Sequence, residues 1–399
     1  MKKQVLISVY DMEIGGIERS LINMLESFDY GKYEVDLLIC HHSGDLMNFL
    51  PAKVNILPQI EKYTVFRKSV SQCLREGHYT LSLVRIISKG IANLKAKKRK
   101  LEEGAGYIQM QLASKYSMPF IPKLSKKYDT AISYAWPHDL VVNKVKANKK
   151  IAWIHTDYSK LEIDNKIDLN SWNKFNHIVS VSEECKNSFL TQYPVLKDKV
   201  MTIENINSPS FIKNMAQEEI ESNELNPSYF NIVSVGRLSY VKGFDLAVKA
   251  LRTLHDKGLT NIKWYVVGFG GYEEELCRII EQNRLTDSFI LLGKKTNPYN
   301  YMQMCDLYLQ PSRYEGKAVT VTEAKILGKP IIITNYPTSK SQINHQFDGM
   351  ICDLSVEGIA NGIEELYNHA DIRNSLVNHI QDVDYSNRHE LKKLYSLIG

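Results

Sequence analysis

Two glutamates, Glu315 and Glu323, stand eight positions apart in Pro311–Ala324, PSRYEGKAVTVTEA, the first in a turn and the second in an amphipathic run from Val319 to Leu327. A helix advances about 1.5 Å per residue, so a loop acid and a helix acid at this interval could hold two separated hydroxyl-bearing groups of one ligand. A solvated loop acid beside a helix surface acid would have the same spacing. Upstream, Val235–Gly243 reads VGRLSYVKG and leads into a helical pattern. There the Arg237 guanidinium and the Lys242 ammonium flank a helix start, which suits a diphosphate without calling for a metal; a basic loop bounded by structural glycines is the alternative. The turn of Val266–Gly271, VVGFGG, lets backbone at Gly268 approach a nucleotide or simply closes a tight turn, and Gly293 in LGKK is placed to border a base. In the first half, His155 follows a strand in IAWIHTD, where a neutral imidazole could hydrogen-bond a hydroxyl, take a proton or serve structure alone. Gly15 and Gly16 follow the first apolar run, where paired glycines open a turn or bring amides to an anion or sugar at a helix start. Ser182 reads as a helix N-cap.

These residues need rigid elements behind them. Apolar runs at Val5–Val9, Val35–Cys40, Thr130–Ser133, Ile151–Ile154, Ile178–Val181 and Val200–Ile203 alternate with helical patterns in the first half. The second half repeats the style at Phe230–Val235, Ile262–Val267, Phe289–Leu292, Leu307–Leu309, Pro330–Thr334 and Met350–Cys352, with helices expected at Phe244–His255, Tyr272–Gln282, Thr320–Leu327 and Val356–Tyr367. Such alternation predicts α/β architecture with parallel sheets, and in open sheets of this kind ligands bind at the carboxyl ends of the strands. The polar, proline-bearing stretch Asn205–Pro227 reads as a linker between two copies of one architecture. The expected organisation is residues 1–207, residues 208–385 and a terminal amphipathic helix in 386–399 with Leu391, Leu394, Tyr395 and Ile398 on one side.

Among 399 residues no apolar run approaches the roughly 20 needed to cross a bilayer, and Met1–Tyr10 holds too short an apolar stretch for a signal peptide. The six cysteines are scattered, suggesting neither a zinc site nor a disulfide framework, and a reduced cytoplasmic setting fits. The net charge of +5 conceals an asymmetry: residues 62–127 hold fifteen Lys or Arg against three acids, about +12, leaving about −7 elsewhere. Within this helical insertion the run Lys95–Lys100, KAKKRK, follows an apolar and aromatic stretch, as suits either an anionic membrane surface or a solvated helix face. Nucleic acid is not expected, because no recognised binding module accompanies the charge.

In order along the chain, the Gly15-Gly16 turn, the His155 turn, the Ser182 element, Gly236-Arg237-Leu238 with Lys242-Gly243, the Gly268–Gly271 turn and Glu315 with Glu323 resemble the retaining nucleotide-sugar glycosyltransferases of family 4. The resemblance covers nearly the whole chain. It implies the GT-B fold, in which two Rossmann-like domains face a central cleft and the last helix crosses back onto the N-terminal, acceptor-side domain, while the C-terminal domain binds the donor. By the same resemblance Arg237 and Lys242 hold the donor diphosphate, Glu323 the ribose hydroxyls and Glu315 the donor sugar. His155 would lie near that sugar, Gly16 near the diphosphate, and Gly236, Gly268, Gly293, Lys317, Ala318 and Val319 along the donor. The chain departs from the family at Gly316-Lys317-Ala318, where many members carry Gly-Phe-Gly, and this form is similar to the branch found among bacterial capsule and surface-polysaccharide transferases. The implied reaction is hexosyl transfer with retention, from a nucleoside diphosphate sugar, by resemblance a uridine one, to a hydroxyl of a glycan or polyprenyl-diphosphate-linked acceptor. No metal or other cofactor is expected. A catalytically silent GT-B subunit that binds a glycan or a partner transferase is the alternative from another class, and a sugar-nucleotide epimerase is a further one.

Overall fold

The computed structural model describes residues 2–101, 104–219 and 225–399, which form two compact units, one of Met1–Ile206 with Asn387–Gly399 and one of Asn207–Ser386. The first unit is built on a seven-stranded parallel sheet of β1 (Lys3–Val9), β2 (Tyr33–Ile39), β3 (Asn55–Ile56), β4 (Lys127–Ser133), β5 (Lys146–Ile154), β6 (His177–Ser180) and β7 (Val200–Thr202). Its strand order is β3-β2-β1-β4-β5-β6-β7, and the register pairs Val5 with Val35 on one side of β1 and with Thr130 on the other. The second unit carries six parallel strands, β8 (Phe230–Val235), β9 (Ile262–Val267), β10 (Phe289–Gly293), β11 (Leu307–Gln310), β12 (Ile331–Thr334) and β13 (Met350–Cys352). Their order, β10-β9-β8-β11-β12-β13, repeats that of the first sheet from β3 through β6, without a counterpart of β7. In both sheets the chain therefore starts in the middle, works outward to one edge and returns to build the other. The switch points, at which the chain leaves adjacent strands in opposite directions, fall between β1 and β4 and between β8 and β11, and in open sheets of this kind ligands bind at the strands' carboxyl ends there.

The strands follow from composition. Parallel strands covered by helices on both faces must be apolar along their whole length, as the buried runs LISV of β1 and IIIT of β12 are. The second unit buries Ile232, Trp264, Leu307 and Ile332 of its sheet against Phe244, Leu251 and Ile363 of the covering helices. Only β3, two exposed residues on an edge, has no counterpart among the apolar runs. It is too short to leave a pattern.

The stretch Asn205–Pro227 is not a plain linker: Ser208 caps a helix over Pro209–Met215, its hydroxyl accepting from Phe211 N at 3.3 Å, and the segment from Asn207 belongs to the second unit. Residues 220–224, also within that stretch, lie outside the described residues. Between β3 and β4 the insertion folds as helices over Val70–Arg75, Tyr79–Arg99 and Gly106–Ser117. The terminal helix Glu390–Ile398 buries Leu391, Leu394, Leu397 and Ile398 within the first unit. Its Tyr395 stacks on Tyr33 at 4.9 Å and accepts a hydrogen bond from Asp29 N at 2.8 Å.

Candidate functional site

In the second unit the two loops that flank the switch point carry the charged residues. The loop after β8 runs from Gly236 to Gly243 before the helix Phe244–Asp256, and the loop after β11 runs from Pro311 to Ala318 before the helix Val319–Ile326. Gly243 joins them closely. Its backbone is left-handed, with φ of 69°, and a Cβ there would lie 1.9 Å from the Pro311 carbonyl oxygen, so only glycine lets the two loops approach. The stem of Lys242 in turn passes over Gly236, where a Cβ would come 3.4 Å from Lys242 Cε.

Lys242 and Glu315 meet across this junction. Lys242 Nζ donates to Glu315 Oε1 at 2.6 Å, with both side chains largely withdrawn from solvent. The same oxygen accepts from Ser312 Oγ at 2.6 Å and from Gln310 Nε2 at 3.1 Å, while Thr338 Oγ1 donates to the Glu315 carbonyl at 2.8 Å. A carboxylate held by several donors is aimed, because any rotation breaks more than one charge-assisted bond. Arg237 stands exposed in the same loop.

Arg313 holds the two loops together. Its guanidinium forms a fork on Asp245, with Nη1 to Oδ1 at 2.7 Å and Nη2 to Oδ2 at 2.7 Å, and Nη1 also donates to the Tyr240 carbonyl at 2.6 Å. The Arg313 backbone N–H donates to the Val241 carbonyl at 2.7 Å, and its guanidinium lies 3.9 Å from the centre of the Tyr240 ring. Tyr240, Val241 and Asp245 bracket Lys242, so this clamp determines where the ammonium points. Neither Arg313 nor Asp245 was among the residues read from sequence as functional. Arg313 sits inside the Pro311–Ala324 motif and Asp245 two residues past the Val235–Gly243 one, and the signal that pairs them is the adjacency of β8 and β11, which only the sheet order reveals.

Glu323 lies on the helix Val319–Ile326 and is completely buried, so it is no surface acid. Tyr299 donates its hydroxyl to Glu323 Oε1 at 2.9 Å. Gly268 N donates to the Gly293 carbonyl at 2.9 Å, and Leu238 N to the Phe269 carbonyl at 3.0 Å, which ties the turns after β8, β9 and β10 into one surface. Lys317 is partly buried, Ala318 donates its N–H to Gln342 Oε1 at 3.1 Å, and Val319 opens the helix. Gly236, Arg237, Lys242, Gly268, Gly293, Glu315, Lys317, Ala318, Val319 and Glu323 thus all lie in the second unit, and the structure joins Lys242 to Glu315 and Gly236 and stacks the Gly236, Gly268 and Gly293 turns side by side. Gly16 and His155 belong to the first unit.

There, Gly15 caps the helix Gly16–Glu26 and a Cβ on Gly16 would meet open space. His155 follows β5, and its Nε2 lies 2.8 Å from the Tyr134 carbonyl. A carbonyl only accepts, so Nε2 carries the proton and Nδ1 is the acceptor of a neutral ring. Burial pushes the His155 pKa down to about 4. Placement therefore favours a neutral hydrogen-bonding ring over a proton acceptor at neutral pH. Glu18, on the first turn of the helix Gly16–Glu26, is pushed the other way, up to about 7, chiefly by burial and further by Asp11. Ser182 caps the helix Glu183–Gln192, its hydroxyl accepting from Cys185 N at 3.2 Å.

Residues 215–383 match the family model described as Glycosyl transferases group 1. An uncharacterized glycosyltransferase of Haemophilus influenzae is 31% identical over 144 residues, covering 35% of this chain and 40% of its own length. The N-acetylgalactosamine-N,N'-diacetylbacillosaminyl-diphospho-undecaprenol 4-alpha-N-acetylgalactosaminyltransferase of Campylobacter jejuni is 27% identical over 132 residues, covering 33% of this chain and 34% of its own. The chain thus matches less than half the length of these relatives. Among solved structures, Staphylococcus aureus TarM, in a complex with fondaparinux, alpha-GlcNAc-glycerol and UDP, superimposes with a TM-score of 0.70 at 15% identity, covering 100% of both chains. That likeness establishes the fold, two Rossmann-like parallel-sheet α/β units of GT-B type.

Proposed function

We propose that this chain, whose second unit is a Glycosyl transferases group 1 domain, moves a hexosyl unit from a nucleoside diphosphate sugar to a hydroxyl of a lipid-linked glycan in surface-polysaccharide synthesis. The observation that carries the reading is the Lys242–Glu315 pair at 2.6 Å across the switch point, with Arg237 in the same loop. A cation beside a carboxylate at a helix start matches a donor that presents a diphosphate next to sugar hydroxyls. The uridine base is favoured by UDP in the TarM complex, and the polyprenyl-linked acceptor by the diphospho-undecaprenol in the Campylobacter relative's name. The site of action is the cytoplasmic face of the cell membrane.

In this mechanism the bond between the anomeric carbon and the diphosphate oxygen breaks, and negative charge grows on the leaving diphosphate. Lys242 and Arg237 take up that charge, and the N-terminus of the helix Phe244–Asp256 adds its partial positive charge. Incoming phosphate oxygens compete with Glu315 for Lys242. Once released, the Glu315 carboxylate is free to accept from a sugar hydroxyl while Gln310 and Ser312 keep it aimed. Glu323, positioned by Tyr299, binds the ribose hydroxyls. Retention follows if the acceptor hydroxyl attacks from the face the diphosphate leaves, with the leaving phosphate taking the proton, and Glu315 is then a positioning group and no nucleophile.

A panel of nucleotide sugars with purified protein and a polyprenyl-diphosphate-linked acceptor tests the reading. Lys242→Ala and Arg237→Ala are each expected to lower kcat by on the order of 100-fold, the usual cost of removing one preorganised charge-stabilising donor. Transfer surviving the double substitution near the wild-type rate would refute the diphosphate assignment. The anomeric configuration of the product decides retention.

A further inference from the structure

The helix Tyr79–Arg99 is apolar on two sides. Its inner side holds Leu81, Ser88 and Ala92, and Ala92 joins Ile108 and Leu112 in a small core with the helix Gly106–Ser117. Its outer side carries Tyr79, Leu83, Ile86, Ile87 and Leu94, which are 69%, 57%, 52%, 48% and 72% exposed. These positions recur at helical spacing and form one stripe. Single exposed apolar residues are ordinary on a protein surface, but a stripe along about 23 Å of helix, at about 1.5 Å per residue, marks a surface that is covered in use.

Charge identifies the cover. From Tyr79 to Lys100 the sequence holds seven basic residues and no acid. The structure divides those seven into two groups. Arg85 donates to the Val65 carbonyl, Lys95 pairs with Asp164, and Arg99 Nη1 donates to the Ile163 carbonyl at 2.9 Å, so these three fasten the helix to its own unit. Lys89, Lys97, Lys98 and Lys100 are exposed. Lys97 continues the apolar stripe by one more turn.

We propose that this face docks on an anionic lipid surface, with the apolar stripe seated at the boundary of headgroups and acyl chains and the four exposed lysines among the headgroup phosphates. A second copy of the chain is a poor occupant, because a symmetric contact sets this acid-free helix against itself. An anionic bilayer supplies both the apolar depth and the opposite charge. Among the described residues no helix is long and apolar enough to cross a membrane, so the attachment is peripheral in kind. The proposal is independent of the donor reading, and vesicles containing no glycan test it.

The experiment is flotation of the full chain with vesicles of phosphatidylcholine alone or mixed with phosphatidylglycerol. Binding is expected with the anionic vesicles, to be roughly tenfold weaker with the neutral ones, and to fall when salt shortens the screening length. Leu83→Ser with Ile86→Ser, and separately Lys97→Glu with Lys98→Glu, are expected to weaken anionic binding by about tenfold or more. Hydrogen exchange of the wild-type chain supplies a readout that no substitution can confound: vesicles should slow exchange within residues 79–100. Three results would overturn the proposal: no flotation of the wild type with anionic vesicles, unchanged binding in both variants, or protection confined to other segments. Conversion of a wild-type dimer to monomer by the apolar variant, without vesicle binding, would assign the face to a second copy instead.

Discussion

At the scale of single residues, the site depends on how Lys242 is aimed as much as on its charge. Arg313 touches nothing that reacts in the proposed mechanism, yet it grips Asp245 and the Tyr240 and Val241 carbonyls on both sides of Lys242. Arg313→Lys keeps a cation but loses the planar fork, and is expected to lower kcat by roughly tenfold or more with a smaller change in KM, as misplacement of a catalytic group does. Asp245→Asn should have a similar effect, and the double variant should be little worse than either single one, because both break one interaction. Steady-state kinetics on the four proteins checks this. The buried titratable groups of the first unit make a second prediction. His155 and His138 are pushed down, to about 4 and about 3, mainly by burial, so below the ordinary value of 6.5 the unfolded chain takes up protons that the folded chain refuses. Their contribution is therefore complete above about 6.5 and is lost as pH falls toward 4 and 3. Glu18 has the opposite sign: raised from 4.5 to about 7, it favours the folded state most at low pH and loses that contribution as pH rises through 7. Glu18→Gln should accordingly raise the melting temperature at pH of about 8 and change it little near pH 5, where the folded wild type is already protonated. Melting curves at the two pH values decide it.

At the scale of elements, the decisive feature is how closely two loops approach at the switch point. Gly243→Ala is expected to cost at least about 1–2 kcal/mol from the left-handed backbone alone, with the contact to the Pro311 carbonyl added, and to weaken donor binding more than a comparable change at the open Gly271 position. Chemical denaturation and nucleotide titration measure the two losses separately. The same loops show what a reader of the sequence can and cannot see. Buried parallel strands are continuous apolar runs, so twelve of the thirteen strands among the described residues are visible in the sequence, and β3 is not because two exposed residues carry no pattern. The loops announced themselves by glycine and charge. The helix Pro209–Met215 was hidden inside a polar, proline-bearing stretch, since Ser-Pro at a helix start looks like a turn unless something apolar is seen to receive Ile212 and Met215. The Arg313–Asp245 fork was hidden for another reason: its partners lie 68 positions apart, and only the order β8-β11 makes them neighbours. The burial of Glu323 likewise depends on Tyr299, whose place is set by a different helix.

At the scale of the whole molecule, two units with separate cores should respond separately. A ligand that binds the second unit stabilises it by about 2.7 kcal/mol at a hundred times its dissociation constant. UDP is therefore expected to raise the transition that belongs to residues 207–386, and truncation after Ser386 to lower the one that belongs to the first unit, as seen by calorimetry. That truncation uncovers Tyr33 and Phe28, which Tyr395 otherwise covers. The path of the chain has a consequence for biosynthesis as well. The second unit is a single uninterrupted stretch, whereas the first is split around it and joins Asp29 to Tyr395. On the ribosome the second unit is thus complete in sequence before the unit that begins the chain, and the strands made first must wait, with the Tyr33 face uncovered, through the synthesis of an entire neighbouring unit. Chaperone occupancy on translating chains should therefore persist on the early strands until Glu390–Ile398 has emerged.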